Sequence, residues 1–158
     1  MSFSIAQVQL GADSISSYCR LRNQLWPMDE AVCEREAVEI LGDIRWAVFV
    51  ARLDAAAVVG FLEVCLRDYA EGAESSSPIG YLEGLYIDAE YRRQGIGAAL
   101  VRAGEQWAWS QGCTEMASDA QIDNAVSIEM HNRLGYTEVE RQVCFLKRLT
   151  ARATEPRP

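Results

Sequence analysis

The sequence has no apolar run long enough to cross a membrane. A membrane-spanning helix needs about 20 mostly apolar residues, and polar or charged side chains interrupt every apolar stretch of the 158-residue chain well before that length. The first ten residues also lack the basic start and the long apolar core of an export signal. The sequence therefore predicts a soluble, cytoplasmic protein with no membrane partner.

The chain has little histidine, and its cysteines do not cluster. His131 is the only histidine, and the five cysteines are odd in number and widely spaced, with no C-x-x-C pair. This spacing is not that of a disulfide framework or of a zinc site. We therefore expect no metal, and buried free thiols at all five positions: Cys19, Cys33, Cys65, Cys113 and Cys144.

Positive charge is also in short supply. The chain has 15 Lys and Arg against 23 Asp and Glu, a net charge of -8 at pH 7. Nonspecific nucleic-acid binding needs an excess of basic residues, so this balance argues against a nucleic-acid partner. It is compatible with a cationic substrate, although moderate acidity also serves simply to keep a protein in solution.

The hydrophobic fraction of 49% and the length are those of one domain with a real core. We predict a single domain over residues 1–149 and a disordered tail over 150–158. Hydrophobic periodicity predicts, in order, helices at 14–26 and 29–41, strands at 46–53, 58–66 and 80–87, a helix from 97, a short strand at 114–118, a helix at 124–134 and a last strand at about 138–149. This order is typical of an α/β domain with a mixed sheet flanked by helices. Asp13 or Ser14 is expected to cap the first helix, a turn is expected at Asp54, and residues 68–78 form either a binding loop or a disordered connection.

The most informative stretch joins the 80–87 strand to the following helix. It contains a basic pair and a G-x-G in the order Arg92, Arg93, Gln94, Gly95, Ile96, Gly97. Glycines let the backbone approach an anion, and the first N–H groups of a helix lack partners within it. The segment thus predicts a diphosphate site. A dinucleotide fingerprint fits worse because Leu100 stands where its third glycine would be, and a P-loop fits worse because no Gly-Lys-Ser/Thr follows, so the segment argues against a nicotinamide or ATP site.

Arg92 to Gly97 resembles the coenzyme A loop, R/Q-x-x-G-x-G/A, of the GNAT superfamily of N-acetyltransferases. The resemblance implies acetyl-CoA as co-substrate, held by the whole loop: Arg92, Arg93, Gln94, Gly95, Ile96 and Gly97. It also implies a sheet that splays beside this loop, where the backbone of Leu85, Tyr86 and Ile87 binds the pantetheine arm. Asn124 would bind the pantetheine or the region of the leaving thiol. Asn124 equally fits a plain helix cap. His131 stands where many members have a tyrosine that protonates the thiolate, and a lone histidine on a helix is more often a packing or surface residue.

Glu83 is the candidate catalytic base. It directly precedes Gly84 in the strand that should pass between co-substrate and acceptor, where a carboxylate can take the proton of an ammonium group. In a regular strand Glu83 would share a face with Tyr81 and Leu85, an odd place for an acid unless it lines a cleft or a bulge at Gly84 turns it outward. The alternative is an exposed acid on the solvent side of the sheet.

A wider resemblance, to the aminoglycoside 6'-N-acetyltransferases, runs from about residue 21 to 149. It rests on these segments: Leu25 to Pro27, Asp68-Tyr69, Glu74 to Pro78, Leu82 to Gly84, Gly112 to Asp119, His131 to Tyr136 and Glu138 to Arg141. The resemblance implies that Trp26 and Tyr69 form walls against the sugar rings, and that Glu83, Asp119 and Glu140 receive ammonium or hydroxyl groups. Carboxylates and flat aromatic rings suit a rigid polycation. Some members pair, which makes a homodimer possible and leaves Glu140 open to a role in solvent or in a neighbouring subunit.

These features together predict acetyl transfer to the 6'-amino group of an aminoglycoside, by direct attack of the amine on the thioester in a ternary complex. Two alternatives stay open: a GNAT enzyme for another amine, such as a polyamine, a small metabolite or a protein N-terminus, and a non-catalytic module that only binds coenzyme A. Turnover with a polyamine or peptide and none with aminoglycosides would favour the first alternative. Binding of acyl-CoA without turnover of any acceptor would favour the second.

Overall fold

The computed structural model describes residues 2–11, 14–53, 57–74 and 78–148. The strands are β1 (Phe3–Gln7), β2 (Trp46–Leu53), β3 (Ala57–Arg67), β4 (Ile79–Ile87) and β5 (Met116–Ser118), and the helices are α1 (Ser14–Leu25), α2 (Glu30–Gly42), α3 (Ile96–Ser110) and α4 (Ala125–Arg133). The strands form one sheet in the order β1-β2-β3-β4-β5, antiparallel except that β5 runs parallel to β4. The predicted α/β domain with a mixed sheet is confirmed.

The sheet is covered on both faces. Along β2, Val48 and Val50 point to a core shared with α1 and α2, whereas Ala47 and Phe49 point to a core shared with α3. This alternation is that of a strand buried on both sides. Within the described ranges, no helix is both long enough and apolar enough to cross a bilayer.

Most predicted elements match the structure within a few residues, and β1 is the element that sequence analysis missed. Its residues alternate between apolar and polar in Phe3-Ser4-Ile5, and it pairs antiparallel with β2. The predicted cap at Asp13 or Ser14, the turn at Asp54, the serine run 75–77 and the tail 150–158 lie outside the residues and side chains that the structure describes.

The predicted last strand at about 138–149 was wrong for the described part, because residues 137–148 form neither helix nor strand. β-rich composition makes a strand only where a neighbouring strand supplies backbone partners. Without one, Phe145 and Leu146 are 92% and 93% exposed. The predicted apolar face of α4 is also incomplete, since Val126 is exposed. Four of the predicted thiols are buried and free, whereas Cys144 is exposed.

A buried ionic network joins α1 to the middle of the sheet. The Tyr18 hydroxyl donates to Glu63 Oε1 at 2.6 Å, and Arg22 Nε donates to the same oxygen at 2.8 Å. Arg22 Nη1 donates to Glu36 Oε2 at 2.8 Å. Glu63 is 2% exposed and Arg22 is 7% exposed, so each charge depends on the other for its stabilisation.

Candidate active site

A β-bulge places Glu83. Glu63 of β3 pairs with Gly84 and the next residue, Val64, pairs with Leu82, so Glu83 is an extra residue in β4. A bulge shifts the alternation of side chains along the strand. Leu82 and Leu85 accordingly both pack against the α3 side, although they are an odd number of positions apart. The hypothesis that a bulge reorients Glu83 therefore agrees with the structure.

Glu83 is held by three hydrogen bonds on one oxygen. Its Oε1 accepts from Cys65 Sγ at 2.9 Å, from Arg67 Nε at 3.0 Å and from Arg67 Nη2 at 2.7 Å. Burial, together with Glu83, raises the pKa of the Cys65 thiol to about 12, so this thiol keeps its proton and donates near neutral pH. The Glu83 side chain is 21% exposed. The candidate base thus sits partly shielded and fixed in orientation.

Asp119 is linked to the same cluster through Tyr81. The Tyr81 hydroxyl donates to Asp119 Oδ1 at 2.9 Å, and the Arg67 guanidinium carbon lies 3.3 Å from the centre of the Tyr81 ring. Burial and the neighbouring Asp119 raise the pKa of Tyr81, which keeps the phenol protonated. Two of the predicted acceptor carboxylates, Glu83 and Asp119, therefore belong to one connected group.

Sequence analysis missed Cys65, Arg67 and Tyr81 as parts of this group. Cys65 and Arg67 lie two apart on β3 and so share a face of the sheet. Cys65 is the register partner of Tyr81. Only the register of β3 on β4, including the bulge, brings them to Glu83, and sequence spacing carries no such signal.

Trp26 packs directly over Gly84. A Cβ built on Gly84 would lie 2.2 Å from Trp26 Cη2, so the indole occupies the space that any other residue would need. The indole is further held by Phe61, with ring centres 6.3 Å apart, and by the Arg22 guanidinium carbon 5.2 Å from its ring centre. The predicted aromatic wall is thus next to the candidate base.

We expect Gly84→Ala to displace this indole. The added methyl group cannot fit at 2.2 Å from ring atoms, and overpacking of this kind costs about 1–3 kcal/mol of stability. If Trp26 forms a wall of the acceptor site, the acceptor KM rises while the KM of acetyl-CoA changes little. Gly42→Ala is the matched control, because a Cβ there meets nothing within 4 Å. Equal stability and kinetics of the two variants would contradict the prediction.

The other two predicted acceptor residues lie outside the regular elements. Tyr69 follows β3 and is 71% exposed. Glu140 is exposed in the 137–148 segment. Trp26 packs on Gly84 beside Glu83, and Asp119 is linked to Glu83 through Tyr81 and Arg67.

The sheet opens next to Glu83. β5 pairs with β4 only at Gly80, Tyr81 and Leu82, and β4 then continues beyond the end of β5 to Ile87. Leu85, Tyr86 and Ile87 therefore have β3 on one side and no β5 partner on the other. This open stretch of β4 is the splayed edge that the family resemblance implied.

The glycine loop leads from this edge into α3. Gly95 is the N-cap of α3 with a φ of 84°, a conformation that glycine adopts without strain. Arg93 also has a positive φ, of 60°. The first hydrogen bond of α3 runs from Ala99 N to Gly95 O, so the N–H groups before Ala99 have no partner within the helix. Ile96 is buried and anchors this end of the helix.

The remaining loop residues refine the prediction. A Cβ on Gly97 would lie 3.1 Å from Ile87 Cδ1, so α3 packs closely on β4 at this glycine. Arg92 Nε donates to Ile87 O at 2.9 Å, and Gln94 Nε2 donates to Glu90 O at 3.1 Å. The exposed Arg92 and Arg93 lie beside unpaired helix N–H groups, a combination that suits a diphosphate.

α4 carries two further candidates, Asn124 at its N-terminus and His131 next to the end of β5. Asn124 Oδ1 accepts from Ser127 N at 3.1 Å, so it caps α4. His131 Nε2 lies 2.9 Å from Ser118 Oγ, and His131 Nδ1 lies 2.8 Å from Ser127 O. Since a carbonyl can only accept, Nδ1 is the nitrogen that donates to Ser127 O, and the Ser118 hydroxyl lies within hydrogen-bond distance of both His131 Nε2 and Leu82 O. Among residues 2–11, 14–53, 57–74 and 78–148, no group of three or more His, Cys, Asp or Glu could hold a metal ion.

Comparison with known proteins agrees with this geometry. The model of the acetyltransferase (GNAT) family matches residues 17–136. An aminoglycoside N(6')-acetyltransferase type 1 of Serratia marcescens is 42% identical over 139 residues, which cover 87% of this chain and 94% of that protein.

Two solved structures share the fold over most of the chain. The enzyme AAC(6')-Iy in complex with the bisubstrate analogue CoA-S-monomethyl-acetylneamine has a TM-score of 0.87 and 31% identity, covering 94% of this chain and 100% of that one. The aminoglycoside 6'-N-acetyltransferase AAC(6')-Ih of Acinetobacter baumannii has a TM-score of 0.86 and 34% identity, with coverage of 94% and 100%. The chain belongs to the acetyltransferase (GNAT) family and, within it, to the aminoglycoside 6'-N-acetyltransferases.

Proposed function

We propose that this chain transfers an acetyl group from acetyl-CoA to the 6'-amino group of aminoglycosides, and thereby confers resistance to them. The observation that carries the proposal is the position of two carboxylates, Glu83 and Asp119, beside an open sheet edge that leads into a diphosphate-type loop. Relatives of 36–42% identity named for this activity support the substrate class.

The loop and the sheet edge fit acetyl-CoA. The N–H groups at the start of α3, with Arg92 and Arg93, suit its diphosphate. The backbone of Leu85, Tyr86 and Ile87 suits the amides of its pantetheine arm. When bound, acetyl-CoA supplies an activated thioester. Asn124, which caps α4, and His131, which lies within hydrogen-bond distance of Ser118 at the end of β5, are candidates to contact the region of the leaving thiol.

Glu83 is the proposed base. An aminoglycoside amine is largely protonated near neutral pH and must lose a proton before it can attack a carbonyl. Three donors converge on Glu83 Oε1 and none of those three bonds uses Oε2. Oε2 is therefore the oxygen that we assign to the acceptor, either directly or through a water molecule.

The acceptor lies against the aromatic and acidic side chains around Glu83. Trp26 covers an apolar sugar face, and Asp119 receives a second ammonium or hydroxyl group. Tyr69 and Glu140, both exposed, contribute from the loop after β3 and from the 137–148 segment. Cationic ligands of this kind gain from both carboxylates and flat rings.

The direct test is steady-state acetyl transfer to kanamycin, which carries a 6'-amine, beside a close aminoglycoside with a hydroxyl group there. The reaction is followed by loss of the thioester, so that the protein's own thiols do not interfere. Turnover of kanamycin alone supports both activity and regiochemistry. Turnover of both compounds would show that an amine other than the 6'-amine is acetylated. Turnover of a polyamine or peptide alone would identify a GNAT enzyme for another amine. Binding of acyl-CoA without any turnover would identify a module that only binds coenzyme A.

A homodimer is part of the proposal. Four large apolar side chains of the 137–148 segment are exposed: Val139, Val143, Phe145 and Leu146. Several large apolar side chains exposed on one short segment suit an interaction surface. β5 is the last strand of the described sheet, so this end of the sheet is open to a second copy. Pairing would also bring Glu140 close to an acceptor site of one or the other subunit.

The combined variant Phe145→Asp and Leu146→Asp should convert a dimer into a monomer, because two charges cannot be buried in an apolar contact. Light scattering after size-exclusion chromatography measures the mass. Ile44→Asp is the control, since Ile44 is 90% exposed on a separate turn. A monomeric wild-type protein, or a dimer that survives both substitutions, would refute this interface.

We place the activity in the cytoplasm, where acetyl-CoA is made and where free thiols such as those of Cys19 and Cys33 persist. The net charge of -8 favours a polycationic small molecule over nucleic acid as the partner. No membrane partner is proposed.

A further inference from the structure

We propose that Arg67 and Tyr81 act as a pair of positioning residues that fix the two acceptor carboxylates, Glu83 and Asp119, relative to one another and so set which amino sugars fit. The inference rests on the proposed function, because it assigns both carboxylates to the acceptor. It adds a device to that site: a guanidinium stacked on a buried phenol, with one carboxylate attached to each.

The position of Glu83 depends on two nitrogen atoms of the Arg67 guanidinium. Nε and Nη2 both donate to Oε1, at 3.0 and 2.7 Å, so the guanidinium fixes the position of this oxygen as well as balancing the charge of the carboxylate. Cys65 adds a third donor to the same oxygen at 2.9 Å. Because Oε1 is held by three donors and the backbone is held in β4, the side chain is preorganised, and Oε2 is the oxygen left for the acceptor.

Arg67 is itself held by the sheet. It is the last residue of β3 and the register partner of Ile79, which makes Tyr81 its diagonal neighbour on β4. Its guanidinium carbon lies 3.3 Å from the centre of the Tyr81 ring, a close cation–π stack. The ring is 5% exposed and cannot move without disturbing the core, so the guanidinium has a fixed platform.

The position of Asp119 depends on the hydroxyl group of Tyr81. Tyr81 donates to Asp119 Oδ1 at 2.9 Å, and Asp119 follows the last residue of β5 in an exposed position. An exposed aspartate just beyond a three-residue strand has several accessible rotamers, and this bond selects one. A single rigid ring therefore determines the separation of the two carboxylates. That separation must match the spacing of two ammonium or hydroxyl groups on the acceptor.

A stabilising role alone does not explain the arrangement. The side chains of Arg67 and Glu83 are 39% and 21% exposed, and ion pairs this accessible contribute little to folding. Asp119 is accessible to water, which can replace the lost donor if the phenol is removed. The contacts therefore matter chiefly for where the carboxylates point.

Three variants test the pair. Tyr81→Phe keeps the ring under Arg67 and removes only the hydroxyl; we expect the acceptor KM to rise about tenfold, the value typical of one lost charge-assisted bond, with kcat nearly unchanged. Arg67→Gln should instead lower kcat about tenfold, because Glu83 loses its orientation. Arg67→Lys should recover only part of that loss, since a lysine keeps the charge but lacks the fork. Acetyl-CoA KM and the thermal midpoint should stay close to those of the wild type.

Arg133→Gln is the matched control, because it breaks an arginine–carboxylate pair of the same length, 2.7 Å to Glu129, on the outside of α4. Full recovery by Arg67→Lys would reduce the role of Arg67 to charge alone and overturn the orienting argument. Tyr81→Phe and Arg67→Gln kinetics equal to the wild type would overturn the pair itself. If Arg67→Gln does not fold, the Tyr81→Phe result decides.

Failure of the proposed function gives a different result. A wild-type enzyme that acetylates another amine and no aminoglycoside refutes the proposed substrate. In that case the roles of Arg67 and Tyr81 are tested by comparing kcat and KM for that amine between each variant and the wild type. Loss of discrimination between aminoglycosides of different amine spacing in Tyr81→Phe is the result expected only if the pair sets specificity.

Discussion

Replacing Glu83 with glutamine should lower kcat/KM for an aminoglycoside by about 100-fold or more near neutral pH, the contribution typical of a general base. Glutamine has nearly the same shape as glutamate. Its carbonyl oxygen can still accept from Cys65 and Arg67, which in the wild type donate to Glu83 Oε1 at 2.9 and 2.7 Å. It cannot take a proton from the amine. The loss should therefore appear mainly in kcat, with acetyl-CoA binding measured by calorimetry unchanged.

The deficit of Glu83→Gln should shrink as the pH rises. At alkaline pH a larger share of the acceptor amine is already neutral, so the base has less to do. Profiles of kcat/KM from about pH 6 to about pH 9 for both proteins measure this convergence. Glu39→Gln, on the exposed face of α2, controls for the loss of one negative charge. A Glu83→Gln enzyme as active as the Glu39→Gln enzyme throughout this range would remove Glu83 from the mechanism.

The parts of the site that could be predicted from sequence are local in the chain. Gly95 lies at the junction of a loop and a helix, where its positive φ and the free N–H groups of α3 follow from a few consecutive residues. Trp26, Asp119 and Glu140 were assigned through family resemblance, and the structure brings the first two of these to the neighbourhood of Glu83.

The parts that could not be predicted depend on which strands pair and in what register. β1 is too short to stand out until it is placed against β2. Arg67 and Glu83 are 16 positions apart, and only the bulge between Glu63 and Val64 sets them side by side. The 138–149 region shows the opposite error, because a β-rich composition forms a strand only where it pairs with another strand, and residues 138–148 pair with none.

The buried network around Glu63 was also invisible in the sequence. Arg22 lies on α1, four residues before Trp26, and a charged residue in a helix ordinarily faces water. Here its guanidinium neutralises Glu63 beneath the sheet and also contacts the face of Trp26. The helix that supplies the aromatic wall is thus anchored by an ion pair in the core.

Replacing Arg22 with methionine should destabilise the fold by about 3–5 kcal/mol, because it leaves the Glu63 carboxylate buried without its counter-ion. Urea denaturation measures the change in the free energy of unfolding. Adding Glu63→Gln to this variant should recover part of the loss, since a neutral amide can still accept the bond that the Tyr18 hydroxyl makes at 2.6 Å. A double variant no more stable than Arg22→Met alone would contradict this account.

The loss caused by Arg22→Met should also depend on pH. Burial raises the pKa of Glu63, while Arg22 and the Tyr18 hydroxyl lower it and so oppose the shift. Removing Arg22 raises the pKa of this carboxyl further, so the folded variant binds a proton that the unfolded chain has already released. Its stability is then fullest below the ordinary glutamate pKa and falls as the pH rises from that value toward the raised pKa of the folded state. We therefore expect the destabilisation measured against wild type to be smaller in mildly acidic buffer than at neutral or alkaline pH, and the pH dependence to disappear when Glu63→Gln is added.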